Sequence, residues 1–201
     1  MQAHYGLTNG TSTAVDDIIR KCAEGDTASF GLLVKAHQAY AFALAFRMLA
    51  DENEARDVVQ ESFLRVWKSF GRYDPSQKFT TWLYAIVSRV CLDRLRSRSR
   101  SNRLFRRGFD GSPDEDLRDS SDLERTYSNR ELAHVISQLS DGLSPTQKLV
   151  FTLRDLQECT IAEVSAITGL SEGTIKTNLS YARRRIRHLL ATRYDISGSE
   201  S

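Results

Sequence analysis

A dense set of side chains able to bind a polyanion lies between Lys176 and Arg187. With Ile175, Leu179, Ala182 and Ile186 as a buried stripe at helical spacing, the opposite side presents Lys176, Thr177, Ser180, Arg183, Arg184 and Arg187. Asn178 and Tyr181 lie at its flanks. Ammonium, guanidinium, hydroxyl and amide groups donate to phosphate oxygens and to base edges, and a helix carrying them fits the major groove of duplex DNA. Such a helix needs a partner that crosses it steeply through a short turn. Gly169 suits the turn, Ser165 is small enough for close approach, and Ser171 is an expected N-cap. Ile161, Val164 and Ile167 before the turn share a core with Leu170, Ile175 and Leu179 after it. A plain helical hairpin with a solvated basic face is the competing reading. Turn, small residue, apolar spacing and basic face agree with one another, which favours a DNA-binding helix-turn-helix.

No catalytic constellation stands beside it. His4, His37, His134 and His188 are scattered, and no nucleophile elbow, Walker or dinucleotide loop is present. Cys22, Cys91 and Cys159 are far apart and form neither a disulfide framework nor a zinc pattern. The expectation is a chain that is not an enzyme, with no cofactor and no metal.

The elements that position these groups are helical. Apolar residues recur at spacings of three and four almost throughout, and strand-like alternation is hard to find. Asp26-Thr27 offers a helix start, and Tyr40 to Leu49 is apolar nearly all round, as in a central buried helix. Asp51 to Phe70 is amphipathic, with Val58, Val59, Phe63, Val66 and Phe70 as its stripe. Gly71 to Lys78 reads as a loop, Thr80 to Arg96 as the next helix, and Ser144-Pro145 as a further helix start. Leu132, Val135, Ile136 and Leu139 mark another helix.

The 201 residues carry a net charge of +2, which conceals a separation. Arg94 to Arg107 holds seven Arg and no acid, whereas Asp110 to Glu124 holds seven acids and one Arg. Both stretches are Ser-rich and poor in apolar residues, as in an exposed linker. The expected organisation is all-α: a tail 1–13, a helical domain 14–98, a flexible charged linker 99–127, a helix-turn-helix domain 128–194 and a tail 195–201. No signal peptide is evident, and the most apolar stretch, Ala39 to Ala50, is far short of the ~20 residues that span a bilayer. A cytoplasmic protein without direct membrane insertion is expected.

Two segments carry a resemblance. LSPTQKLVFTLRDLQECTIAEVSAITGLSEGTIKTNLSYARRRIRHLL, Leu143 to Leu190, resembles region 4 of the bacterial sigma-70 family, most closely the extracytoplasmic-function (ECF) group. DENEARDVVQESFLRVWK, Asp51 to Lys68, and FTTWLYAIVSRVCLDRLR, Phe79 to Arg96, are similar to region 2. Two matches in the expected order, with no room for a region 3 domain between them, are far more specific than one.

The resemblance implies a transcription initiation factor that binds core RNA polymerase and directs it to −35 and −10 promoter elements. It assigns −35 recognition to Lys176, Thr177, Asn178, Ser180, Tyr181, Arg183 and Arg184, the two arginines chiefly to phosphate. It assigns −10 recognition and melting to Tyr73, Ser76, Lys78, Phe79, Arg89, Arg94 and Arg96, of which Tyr73 and Phe79 offer rings for stacking an unpaired base. Arg89 stands where many relatives have Asn. An aromatic at the start of an amphipathic helix is more often core, a competing reading for Phe79 and for Trp82, and Trp82 is expected in the core. Polymerase docking falls to Asp57, Gln60, Glu61 and Arg65. Partners implied are core polymerase, promoter DNA and an anti-sigma factor. The acidic stretch is either a soluble tether or an occupant of a basic channel in polymerase. The alternative is a conventional helix-turn-helix regulator, a class that usually carries an α/β receiver upstream.

Overall fold

The structure, a computed structural model, describes residues 12–108, 135, 138 and 142–194. Among the described residues seven α-helices have both ends in view, and no strand occurs. The helices are α1 (Ser12–Ala23), α2 (Thr27–Leu49), α3 (Glu52–Ser69), α4 (Phe79–Gly108), α5 (Pro145–Phe151), α6 (Ile161–Thr168) and α7 (Glu172–Tyr194). A 3₁₀ turn, Phe70–Arg72, follows α3, and a π turn, Thr152–Leu156, follows α5. The expected tails, apart from Ser12 and Thr13 at the start of α1, the acidic stretch Asp110 to Glu124 and most of the helix around Leu132 to Leu139 lie outside the described residues. Val135 and Gln138 of that helix are described, and both are helical.

Local chemistry sets the helix ends. The Asp26 carboxylate accepts from the Ala28 and Ser29 amides, and Asp51 Oδ1 accepts from the Glu54 amide at 2.8 Å. Each satisfies amides that a helix N-terminus leaves unpaired. Ser144 and Gln147 form a reciprocal capping box on α5, with Pro145 in the first turn. Thr160 and Glu163 form another on α6.

The first helical group, α1 to α4, closes around Leu44, Met48, Val58, Val66, Leu83, Val87 and Val90, all essentially excluded from solvent. Tyr40 is an exception to the expected all-round burial of its helix and stays partly in water. α4 differs most from expectation. It runs unbroken to Gly108, so the basic residues after 98 begin as helix and not as linker. Arg98 explains part of this: it pairs with Glu54 at 2.6 Å and donates to the Leu49 carbonyl at 3.1 Å, tying the helix back to the α2–α3 corner. No helix among the described residues is long and apolar enough to cross a membrane.

The second group packs Leu149, Val150, Leu153, Val164, Ile167, Ile175, Leu179 and Ala182 together. The two groups also meet. α6 packs on α4, and the π turn packs on α2. Arg47 Nη1 donates to the Leu156 carbonyl at 2.9 Å, and Lys78 Nζ bonds Glu163 Oε1 at 2.8 Å. Cys159 and Tyr84 are both buried. Burial, then the Cys159 thiol and Tyr40, push the Tyr84 phenol up.

Candidate nucleic-acid interface

The C-terminal helix pair is built as its residue types require. α6 ends at Gly169 with φ of +72°, a left-handed conformation that costs a side-chain-bearing residue but not glycine. Ser165, anticipated only as a small residue, also braces the turn, because its hydroxyl donates to the Leu170 carbonyl at 2.8 Å. Ser171 Oγ accepts from the Thr174 amide at 3.2 Å and so caps α7. Ile175, Leu179 and Ala182 are buried, which turns the opposite face of α7 outward.

On that face Lys176, Thr177, Ser180, Tyr181, Arg183, Arg184 and Arg187 are outward, and all of these but Arg187 are in the expected −35 set, while Asn178, also in that set, is half-buried. Several are already held by neighbours. Lys176 pairs with Glu172 at 3.3 Å, Thr177 donates to the Gly173 carbonyl, and Asn178 Nδ2 donates to the Thr174 carbonyl at 2.8 Å. Arg184 lies 5.5 Å from the Tyr181 ring centroid, a cation–π contact. Arg183 differs from its neighbour. Its Nε and Nη2 both engage the Asp155 carboxylate, at 2.8 and 2.7 Å, which raises the guanidinium pKa further. Asp155 lies in the LRDL string. Its sequence neighbours, Arg154 and Leu156, gave no sign of a partner so far along the chain.

The region 2 loop is small and self-supporting. The Asp74 carboxylate accepts from the Ser76 amide at 2.9 Å, and the Tyr73 hydroxyl donates to the Gln77 carbonyl. Phe70, Tyr73, Phe79 and Trp82 cluster beneath it, with Tyr73 and Trp82 centroids 5.0 Å apart. Trp82 is half-buried against the core. Phe79 corrects an expectation. It is 5% exposed, enclosed by these rings and by His37 at 5.1 Å, so its ring is not presented to an unstacked base. As the first residue of α4 it sits on the inward face and forms the floor of the loop. Burial lowers the pKa of His37. Tyr73 is half-buried, and the outward groups are Arg72, Ser76, Gln77 and Lys78.

Along α4, Arg89 is exposed, Arg96 pairs with Asp93 at 3.1 Å, and Arg94 pairs with Glu61 at 3.2 Å. Glu61 also holds Arg65 at 2.6 Å. Burial raises its carboxyl, but the bonds from Arg65 and Arg94 outweigh that and leave it below the usual range. The residues expected to dock polymerase and those expected to contact DNA are therefore joined through Glu61. Asp57 and Gln60 face water. Beside them runs a groove that sequence reading missed, about 590 Å³ between α2 and α3, lined by Phe30, Val34, Phe42, Val59, Phe63 and Leu64. Leu64, 53% exposed and outside the apolar stripe of its helix, was the visible signal.

Comparison with known proteins follows the same division. The family described as Sigma-70 region 2 matches residues 33–101, and that described as Sigma-70, region 4 matches residues 133–186. The ECF RNA polymerase sigma factor SigE of Mycolicibacterium smegmatis is 30% identical over 185 residues, covering 90% of this chain and 68% of the relative. The ECF RNA polymerase sigma factor SigW of Bacillus subtilis is 28% identical over 176 residues, covering 86% and 94%. Among solved structures, CnrH in complex with the cytosolic domain of CnrY is similar with a TM-score of 0.65 at 26% identity, covering 90% of this chain and 99% of CnrH. RpoE of Bartonella quintana, solved with the anti-sigma factor NepR, shares the fold with a TM-score of 0.62 at 22% identity, over 82% of this chain and 98% of RpoE.

Proposed function

The chain belongs to the ECF sigma factors of the sigma-70 family, and from that premise we propose that it binds core RNA polymerase and directs it to promoters with −35 and −10 elements. The observation that carries this reading is the pair of regions in one order, the second ending in a helix whose outward face is polar and basic. A conventional helix-turn-helix regulator would account for residues 133–186 and leave 33–101 without a purpose.

In this reading the first turns of α7 enter the −35 major groove. Lys176, Thr177, Asn178, Ser180 and Tyr181 read base edges, and Arg184 contacts phosphate. Arg183, held by Asp155, approaches phosphate as part of a fixed pair. At the −10 element, Tyr73, Ser76 and Lys78 of the loop and Arg89, Arg94 and Arg96 of α4 contact the melted strand, with Phe79 supporting the loop from below. Asp57, Gln60, Glu61 and Arg65 on α3 dock polymerase together with the adjoining groove. The protein acts in the cytoplasm, as an initiation factor and not an enzyme. CnrH was solved with the cytosolic domain of CnrY and RpoE with the anti-sigma factor NepR, which supports an anti-sigma factor as a further partner.

Run-off transcription with purified core polymerase and a library of promoter fragments tests the reading. Specific initiation that depends on this protein is expected. No initiation, together with no retention of core polymerase in a pull-down, would overturn it.

A further inference from the structure

Arg183 stands on the shoulder of α7, not at the centre of its outward face. Each residue of an α-helix turns the chain by about 100°, so Arg183 lies about 80° round α7 from the buried Ile175. There Asp155 takes one edge of its guanidinium: Nε donates to Oδ2 at 2.8 Å and Nη2 to Oδ1 at 2.7 Å. Exposure divides the pair. The Asp155 side chain keeps 18% of its surface and the Arg183 side chain 50%, so the carboxylate lies beneath and the guanidinium above it. Asp155 is itself held. It belongs to the π turn Thr152–Leu156, in which Thr152 and Leu153 are buried. The Gln157 amide donates to the Thr152 carbonyl and the Cys159 amide to the Leu153 carbonyl, each at 2.9 Å, and these bonds close the turn. Such turns are rare and occur frequently at functional sites.

We propose that Asp155 is a positioning residue for the −35 element: it fixes the Arg183 fork so that the Nη1 end meets a phosphate on the wall of the major groove, and so sets how α7 sits there. The proposal rests on the reading of α7 as the −35 helix. A side chain on the shoulder of a helix in the groove faces the sugar–phosphate wall and not the floor of base edges. Bidentate pairing with a carboxylate sets the plane of a guanidinium as well as its place. A fork already held in one rotamer gives up little freedom when a phosphate binds, whereas a loose arginine must first be ordered. An opposing effect exists, because a carboxylate near the duplex repels phosphate. The two effects differ in sign, which makes the role measurable.

The test uses holoenzyme reconstituted from the full chain and core polymerase. Its affinity is read by anisotropy on a fluorescent duplex bearing the −35 element of a promoter selected by run-off transcription. Asp155→Asn is expected to weaken binding about fivefold, and equally across −35 sequences, as for a phosphate contact. Were Asp155 only a counter-ion, the same change would remove a repulsion and release a cation. Tighter binding with a salt slope steeper by ~1 therefore overturns the proposal. A lower melting temperature with DNA affinity at the parent value makes Asp155 structural only and overturns it too. Adding Asp155→Asn to Arg183→Gln should lose nothing further, because Asp155 acts through Arg183, and a full additional loss overturns that link. Two milder variants decide the matter if Asp155→Asn does not fold. Asp155→Glu retains the carboxylate and should bind within about twofold of the parent, whereas Arg183→Lys keeps the charge without the fork and should bind about fivefold more weakly. Parent-like binding by Arg183→Lys, or a fivefold loss with Asp155→Glu, overturns the proposal. If holoenzyme with the parent protein does not prefer the duplex to a scrambled one, the −35 reading of α7 fails, and the proposal with it.

Discussion

Arg183 and Arg184 are adjacent in sequence and opposite in surroundings. Arg183 is clamped by Asp155 with two hydrogen bonds, while Arg184 rests against the Tyr181 ring at the surface. A guanidinium that neutralises one phosphate releases about one counterion, so its loss lowers the salt slope of binding by ~1. Arg184→Ala is therefore expected to weaken duplex binding uniformly across sequences, with a salt slope smaller by ~1 and stability within ~0.5 kcal/mol of the parent. Arg183→Ala should weaken binding and also lower the melting temperature, because Asp155 loses its partner. Salt-dependent anisotropy and thermal denaturation of both variants check this. An unchanged slope for Arg184→Ala would remove it from the phosphate contacts. Phe79 carries the complementary lesson. An aromatic ring at the start of an amphipathic helix serves either the loop before it or the core beneath it, and only the packing of His37, Phe70 and Trp82 shows that it serves the core.

The helix-turn-helix depends on backbone geometry at one glycine more than on any side-chain contact. A Cβ at Gly169 would meet nothing within 4 Å, so the cost of Gly169→Ala is conformational alone, at φ of +72°. That cost is ~1–2 kcal/mol. Gly173 has the same open space but stands inside α7 with ordinary backbone, so Gly173→Ala should stabilise by up to ~1 kcal/mol. Urea denaturation of the two variants should therefore give shifts of opposite sign. Shifts of the same sign would mean that the turn does not hold this geometry in solution. Long-range anchoring matters equally in α4. The basic run after residue 94 has no apolar stripe of its own, and Arg98 anchors it by reaching Glu54 and the Leu49 carbonyl across the corner.

At the scale of the molecule, two surfaces differ in chemistry and in purpose. One is the polar face of α7. The other is the apolar groove between α2 and α3, with Gln60 and Arg56 at its rim and Leu64 exposed within it. Interfaces take most of their affinity from a few desolvated side chains, and a carboxylate placed among them must be stripped of water on binding. Leu64→Glu is expected to reduce retention of core polymerase about tenfold, while duplex DNA binding and melting temperature stay near the parent values. A pull-down with purified core and a parallel DNA titration measure both. Retention equal to the parent would place polymerase docking elsewhere on region 2.

Much of this was legible in the sequence, because helices and their caps are local. Apolar spacing placed Val58, Val66, Ile175 and Leu179 in cores, and Ser144-Pro145, Ser171 and Gly169 marked ends that the structure keeps. The charged faces followed from the same periodicity, since what is not buried on a helix is presented. Pairings between distant residues had no such signal. Nothing about Arg47, Asp155 or Glu163 announces the Leu156 carbonyl, Arg183 or Lys78. A charge run reads as solvated until another helix supplies its counter-ion, and a polar residue in a helix cap reads as local until a second domain reaches its other oxygen. The sequence by itself determined the helices, their two groups and their polar faces. Which cations are bound by a carboxylate distant in sequence, as Arg98, Arg183 and Lys78 are, was decided only when the helices packed, because an ion pair depends on distance in space and not along the chain.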